Sequence, residues 1–223
     1  MKAAKKTKFR RARSDEAKEI RRDALLAAAR ALFEGRSYDE LTVDAVARAS
    51  RVAKGTVYLY FPTKEAIFLE LTLSELEGWC SSLTAPLAKI ERGNTARLAE
   101  LLAASVGRRS TFRRLLTLLP GTLERNVEHE AILSFKLRGG AVMAKTAAQL
   151  EACLPFLGPG GGFRLLTHLH ALVIGVGQLA EGSEAIKELL EQPELAPFRV
   201  DFVPMLRELV GLLLAGQATR AHR

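Results

Sequence analysis

The 223-residue chain carries 33 Lys/Arg against 25 Asp/Glu, a formal charge of +8, and is 48% apolar, enough to bury one large core or a small domain beside a larger one. Two cysteines, Cys80 and Cys153, stand far apart with no CxxC pairing, which speaks against a disulfide framework or a structural zinc site and suits a reducing cytoplasm. No apolar stretch follows the basic N-terminus and no uninterrupted apolar run approaches about 18 residues, so neither a secretory signal nor a membrane span is expected.

Charge is unevenly placed. Residues 1–64 hold 16 Lys/Arg and 8 Asp/Glu, whereas residues 65–223 hold 17 of each. The whole excess therefore lies in the first 64 residues, as in a chain with one part that meets a polyanion and another that does something else. Residues 1–13 contain seven Lys/Arg and no acid, a composition expected to give a disordered basic arm. Two readings of that arm stand: a solvated tail, or a segment whose Lys8, Arg10, Arg11 and Arg13 reach the minor groove or flanking phosphates of DNA.

Apolar residues recur at helical spacing almost throughout, and alternating strand-like segments are hard to find, so an all-α protein is predicted. The first helix runs from about Asp15 to Glu34, with Leu25, Ala28, Ala29, Leu32 and Phe33 on one stripe and Gly35 as its stop. Short helices follow at 43–50 and 54–60. Pro62-Thr63 opens a longer one ending near Ser82, and further helices are expected at about 95–110, 112–119, 128–153, 163–181 and 201–215. The glycine-rich segment Pro155 to Gly162 lacks the Lys-Ser/Thr of a phosphate-binding loop and a preceding strand, and reads as a connector.

The stretch from Leu41 to Phe68 reads as a helix-turn-helix. Thr42 is a natural N-cap, and Val43, Val46, Ala47, Val52 and Val57 supply the small apolar contacts that let two short helices cross closely. The second helix presents Lys54, Gly55, Thr56, Tyr58 and Tyr60. Lys54 stands in a first turn, where the helix dipole disfavours a cation, and Gly55 costs up to about 1 kcal/mol relative to alanine. Both choices make sense if a phosphate approaches: glycine admits a DNA backbone, and the hydroxyls bond base edges or phosphate oxygens. Lys64 repeats the pattern at the next helix start.

Leu25-Leu26-x-Ala28-Ala29-x-x-Leu32-Phe33, Thr42-Val43-x-x-Val46-Ala47 and Lys54-Gly55-Thr56-Val57-Tyr58-x-Tyr60-Phe61-Pro62-x-Lys64-Glu65 together resemble the DNA-binding domain of the TetR family of repressors. The resemblance implies an N-terminal three-helix DNA-binding domain (14–62) followed by a larger, divergent effector-binding and dimerisation domain (63–223). By the same analogy Thr42, Lys54, Gly55, Thr56, Tyr58, Tyr60 and Lys64 fall at positions that contact DNA. The chain departs from the family at the turn, where Ser50-Arg51-Val52-Ala53 replaces the usual Ala-Gly-Val-Ser. Arg51 then has to enter a left-handed conformation at a cost of about 1 kcal/mol, and Ala53 forfeits a capping hydroxyl. The expectation is that Arg51 is retained as a further DNA contact.

Beyond residue 85 no catalytic spacing, metal cluster or nucleotide fingerprint is visible, so no enzyme activity, cofactor or metal is expected. His168 and His170, two residues apart, point to different sides of a helix and do not make a zinc pair. Trp79, Phe112, Leu116, Leu119, Phe135 and Met143 are candidate walls of a pocket for a small apolar or aromatic effector, with Asn126 and His168 as polar groups; the same side chains would also make an ordinary core. Leu165, Leu169, Leu172, Val176 and Leu179, with Phe202, Met205, Leu209 and Leu212, form stripes on the last two long helices. Because a second stripe flanks each, a homodimeric four-helix seam on a palindromic operator is expected, against a helix buried wholly within one subunit. The remaining alternatives are a basic enzyme and a regulator whose large domain only dimerises or docks a protein.

Overall fold

The computed structural model describes the backbone of residues 2–125, 127–181 and 184–221, and within these the side chains from residue 16 onward except 184 and 187. Asn126 lies outside the described residues. The described residues form ten α-helices and no strand: α1 Lys2–Glu34, α2 Val43–Ala49, α3 Lys54–Tyr58, α4 Lys64–Leu87, α5 Thr95–Gly107, α6 Ser110–Leu118, α7 His129–Cys153, α8 Gly161–Ala180, α9 Glu184–Leu189 and α10 Phe202–Ala221. The expected all-α architecture is the one observed.

Among the departures from the expected boundaries, three have a clear local reason. The arm expected to be disordered continues α1 back to Lys2. No Gly or Pro interrupts residues 2–34, and Ala, Lys and Arg are among the best helix formers. α4 runs through Pro86 to Leu87; the proline forgoes one hydrogen bond to the preceding turn and the helix ends one residue later. After α6 the chain makes a π-helical turn at Leu119–Leu123, over a Pro120-Gly121 pair that ends regular α geometry.

The chain divides into two compact units, Met1–Leu71 and Thr72–Arg223, so the boundary falls inside α4 rather than after Pro62. In the first unit α1 packs on α2 and α2 on α3. Leu25, Phe33, Leu41, Val46, Val57, Phe61, Ile67 and Phe68 are essentially inaccessible to solvent. Phe68 is met edge-on by Phe33 (centroids 5.3 Å apart) and Tyr38 (5.0 Å), the arrangement that ring quadrupoles favour. Glu65 accepts a 2.9 Å hydrogen bond from the Tyr38 hydroxyl; burial and that carboxylate push the phenol well above its ordinary pKa.

In the second unit α8 packs against α6, α7 and α10, and α10 against α5. Two glycines set these approaches. A Cβ on Gly162 would lie 2.1 Å from the Ala147 carbonyl oxygen, and one on Gly107 would lie 2.3 Å from Val203 Cγ2. α8 is long and apolar enough to cross a membrane by length and composition alone, but Leu165, Leu166, Leu169, Val173 and Val176 are buried in this unit's core. Cys80 and Cys153 are free and buried, and burial raises both thiols above their usual pKa.

Candidate nucleic-acid interface and effector cavity

The helix-turn-helix is built as the residues suggest. Thr42 has extended backbone, and its Oγ1 accepts a 3.1 Å bond from the Ala45 amide, capping α2. α2 ends in a Schellman turn: the Arg51 amide donates to Arg48 O (3.2 Å) and the Val52 amide to Ala47 O (3.0 Å). That pair of bonds requires a left-handed residue between them. Arg51 supplies it at φ +57°, the one non-glycine with positive φ among the described residues. Ala53 precedes α3 with no side-chain cap, so both costs anticipated at this turn are present.

α3 is anchored by fully buried Val57. Its opposite side exposes Lys54, Gly55 and Tyr58, while Thr56 and Tyr60 are half-buried. Lys54 Nζ sits 2.9 Å from Asp44 Oδ2 on α2; this hydrogen bond raises the lysine pKa and keeps it charged. With both groups about half exposed, the pair is open to exchange with an incoming phosphate. Leu59, 83% exposed immediately after α3, was not anticipated: a lone leucine carries no polar signal, and only its outward placement in the structure sets it apart.

Lys64 is a correction. Rather than pointing outward for phosphate, its Nζ donates to Tyr38 O (3.1 Å) and Leu41 O (3.2 Å) and stands 3.8 Å above the Tyr38 ring. Two carbonyls of the loop before α2, that of Tyr38 already accepting from the Leu41 amide at 3.1 Å, draw the cation inward. Lys64→Met, which keeps the stem and removes both bonds, is expected to lower stability by about 1–2 kcal/mol, since charged hydrogen bonds contribute about that much. Denaturant titration checks this; an unchanged midpoint would return Lys64 to the DNA-contacting set.

The second unit contains a cavity of about 280 Å³ bounded by α4 to α8. All six expected apolar walls, Trp79, Phe112, Leu116, Leu119, Phe135 and Met143, line it. Trp79 and Phe112 stack at a tilt with centroids 5.6 Å apart. The indole N–H donates to Ser105 Oγ (2.9 Å), leaving the rest of the ring for apolar contact. Leu76, Val106, Gly139, Leu166, Leu169 and Val173 extend the apolar wall, and Thr72 and Thr167 add hydroxyls to it; such residues carry no sequence signal that separates lining from filling.

His168 does not line the cavity. It is exposed, with Nδ1 3.4 Å from Gln217 Nε2 on α10, whereas His170 lines the cavity with Nε2 3.2 Å from Leu116 O. Two positions along a helix turn the side chain by about 200°, so only one of the pair can face inward. Burial holds the His170 imidazole below its ordinary pKa. In the neutral tautomer that donates from Nε2 to Leu116, Nδ1 is left as an acceptor. Lys136, also at the cavity, is paired with Glu124 at 2.5 Å.

The stripes assigned to a dimer seam divide between core and surface. Leu165, Leu169, Val176 and Phe202 are buried in their own unit's core. Leu172, Met205 and Leu209 are half-buried, and Leu179 and Leu212 are 60% and 63% exposed. The inward face of α10 is Phe202-Leu206-Val210-Leu214, which steps by four; stripes drawn one residue to either side mix inward and outward positions.

Comparison with known proteins agrees with this construction. Residues 25–71 match the profile described as bacterial regulatory proteins, tetR family, and residues 73–221 match that of the tetracyclin repressor-like C-terminal domain. An HTH-type transcriptional regulator of Mycobacterium tuberculosis, itself described as uncharacterised, is 37% identical over 97 residues, 43% of this chain and 46% of that protein. The regulator EthR of Mycolicibacterium smegmatis is 41% identical over 51 residues, 23% of this chain and 24% of its own length. The chain thus spans less than half the length of these curated relatives. The fatty acid degradation regulator FadR from Bacillus halodurans superposes with a TM-score of 0.52 over 87% of this chain and 97% of that structure, at 17% identity, a likeness of fold. The family is one of regulators rather than enzymes, in line with the lack of a catalytic constellation in the sequence. A capped helix-turn-helix and the two profile matches, which together run from residue 25 to 221, lead to one conclusion: the chain belongs to the tetR family of bacterial regulatory proteins.

Proposed function

We propose that the chain is a sequence-specific DNA-binding transcriptional regulator acting in the cytoplasm, a repressor that holds a palindromic operator as a homodimer and is released by a small apolar effector. The observation that carries the reading is α3: five residues anchored by buried Val57, presenting a lysine, a glycine with open space beside it, a threonine hydroxyl and a tyrosine hydroxyl, a surface suited to a phosphate backbone and base edges and poorly suited to solvation alone. Thr42, Arg51, Lys54, Gly55, Thr56, Tyr58 and Tyr60 are its proposed contacts. Exposed Leu179 and Leu212, with the half-buried leucines beside them, give α8 and α10 the apolar surface that a second copy would cover. The cavity favours effector control over a domain that only dimerises or docks a protein, since that alternative needs no hollow interior. α4, which carries Lys64 and Trp79, is the covalent route by which an effector would bias the DNA-binding unit, within the limit of its differential affinity for the two states.

The reading is tested by gel shift on the DNA upstream of the protein's own coding sequence, with and without a panel of small apolar compounds. A retarded band dissolved by one of them is expected; no bound palindrome would sink the operator claim. Gly139→Leu then separates the cavity from the fold. A Cβ at Gly139 meets only Leu76 Cδ2, at 3.7 Å, so the larger side chain grows into the hollow. The variant is expected to bind DNA as before and to lose at least tenfold in effector sensitivity, on the order of 1.4 kcal/mol. Release at unchanged effector concentration would move the effector site elsewhere.

A further inference from the structure

Two basic side chains from distant parts of the chain, Arg21 and Arg51, have no role in the construction above. Arg22 pairs with Glu70, Lys54 with Asp44 and Lys64 with backbone carbonyls. Arg21 and Arg51 are exposed and have no ion-pair partner among the described residues. They come from distant parts of the chain, yet both line one groove of about 400 Å³ between α1 and the turn that joins α2 to α3. The other walls are Ala17, Ile20, Ala24, Leu25, Ser50 and Val52. No carboxylate lines the groove, although Glu16, Glu19 and Asp23 stand on the same helix. Ser50 offers no hydroxyl proton, which is directed to the Val46 and Ala47 carbonyls. The groove is thus a concave surface with two guanidinium groups and an apolar wall on which Ile20 is 64% exposed.

We propose that this groove is a seat for one phosphate of the DNA backbone, held by Arg21 and Arg51 together, with the flanking deoxyribose against Ile20. The proposal rests on the reading that α2 and α3 bind DNA. Guanidinium forks match phosphate oxygens, and an anion between two of them replaces two separate hydration shells with charge-assisted bonds. The occupant is nucleic acid because the groove wall is the turn leading straight into α3: a phosphate seated there sets the register of the recognition helix without reading sequence. The same seat accounts for an arginine standing where glycine would relieve the left-handed backbone; the strained residue is kept for its side chain.

The test measures binding of the full chain to a short labelled duplex of mixed sequence across a salt series, for the wild type, Arg21→Gln, Arg51→Gly, the double variant and Lys54→Gln. Each arginine variant is expected to weaken binding several-fold at low salt. The double variant is expected to flatten the plot of log affinity against log salt by about 1, not 2, because the slope counts phosphates neutralised, each releasing its counterions, rather than arginines removed. Arg51→Gly is also expected to melt a few degrees higher, roughly 2–4 °C, which separates lost binding from lost fold. Additive losses from the two arginines would place them on different phosphates and overturn the shared seat. Unchanged slopes for both, beside a flattened slope for Lys54→Gln, would overturn the groove and leave the helix-turn-helix reading standing. A wild type that binds no duplex at all would overturn both.

Discussion

Gly162→Ala is expected to destabilise the second unit by about 3 kcal/mol or more and to lower its melting temperature by roughly 6–12 °C. The added carbon would stand 2.1 Å from the Ala147 carbonyl oxygen and 2.7 Å from its carbon, and both are backbone atoms inside α7, so no side-chain rotation relieves the clash. α8 would have to move away from α7 by about an ångström, undoing interdigitated packing along both helices. Gly140→Ala is the matched control. It lies on α7 with nothing within 4 Å of its would-be Cβ, so its effect should be neutral or stabilising by up to about 1 kcal/mol. Thermal melts of both variants decide the matter; equal melting temperatures would mean the α7–α8 crossing has more slack than its geometry allows. Because α7 and α8 also wall the cavity, Gly162→Ala should degrade effector response even at temperatures where it stays folded.

The second large effect is expected at Gly55→Ala, and its two readouts have opposite sign. Nothing in the protein lies within 4 Å of the position a Cβ would take, and alanine favours the helix by up to about 1 kcal/mol, so the free protein should be slightly more stable. Operator affinity should fall at least tenfold, about 1.4 kcal/mol, because the open space is where a DNA backbone is proposed to come close. Denaturant titration and a gel shift on the same preparation suffice. A variant that gains stability and keeps its affinity would show that Gly55 has no part in admitting DNA.

How far these features could be read in advance depended on the range of the interaction concerned. The Thr42 cap, the left-handed Arg51 and the uncapped Ala53 were all legible, because each is decided by bonds spanning fewer than half a dozen residues. Lys64 was misread because its partners are the carbonyls of Tyr38 and Leu41, more than twenty residues away. The six apolar walls were legible as inward-facing positions, because large apolar side chains at helical spacing mostly enter a core; that they border a cavity rather than fill it was not. His170 was missed in favour of His168 because helical spacing says only that the two differ in direction, and which one faces inward depends on where α6 lies.

The amino-acid order alone therefore determined the all-α class, the helix-turn-helix with its atypical turn, and the basic bias of the first 64 residues. All three follow from local propensity, capping and composition. Tertiary structure alone decided which flank of α8 and α10 enters the core, that Lys64 turns inward while Arg21 and Arg51 share a groove, and that the second unit has a cavity between its helices. These outcomes depend on approaches between distant segments, such as the one that lays Gly162 against the Ala147 backbone. Close packing settles them jointly: the space left for each side chain is known only when every neighbouring helix is in place.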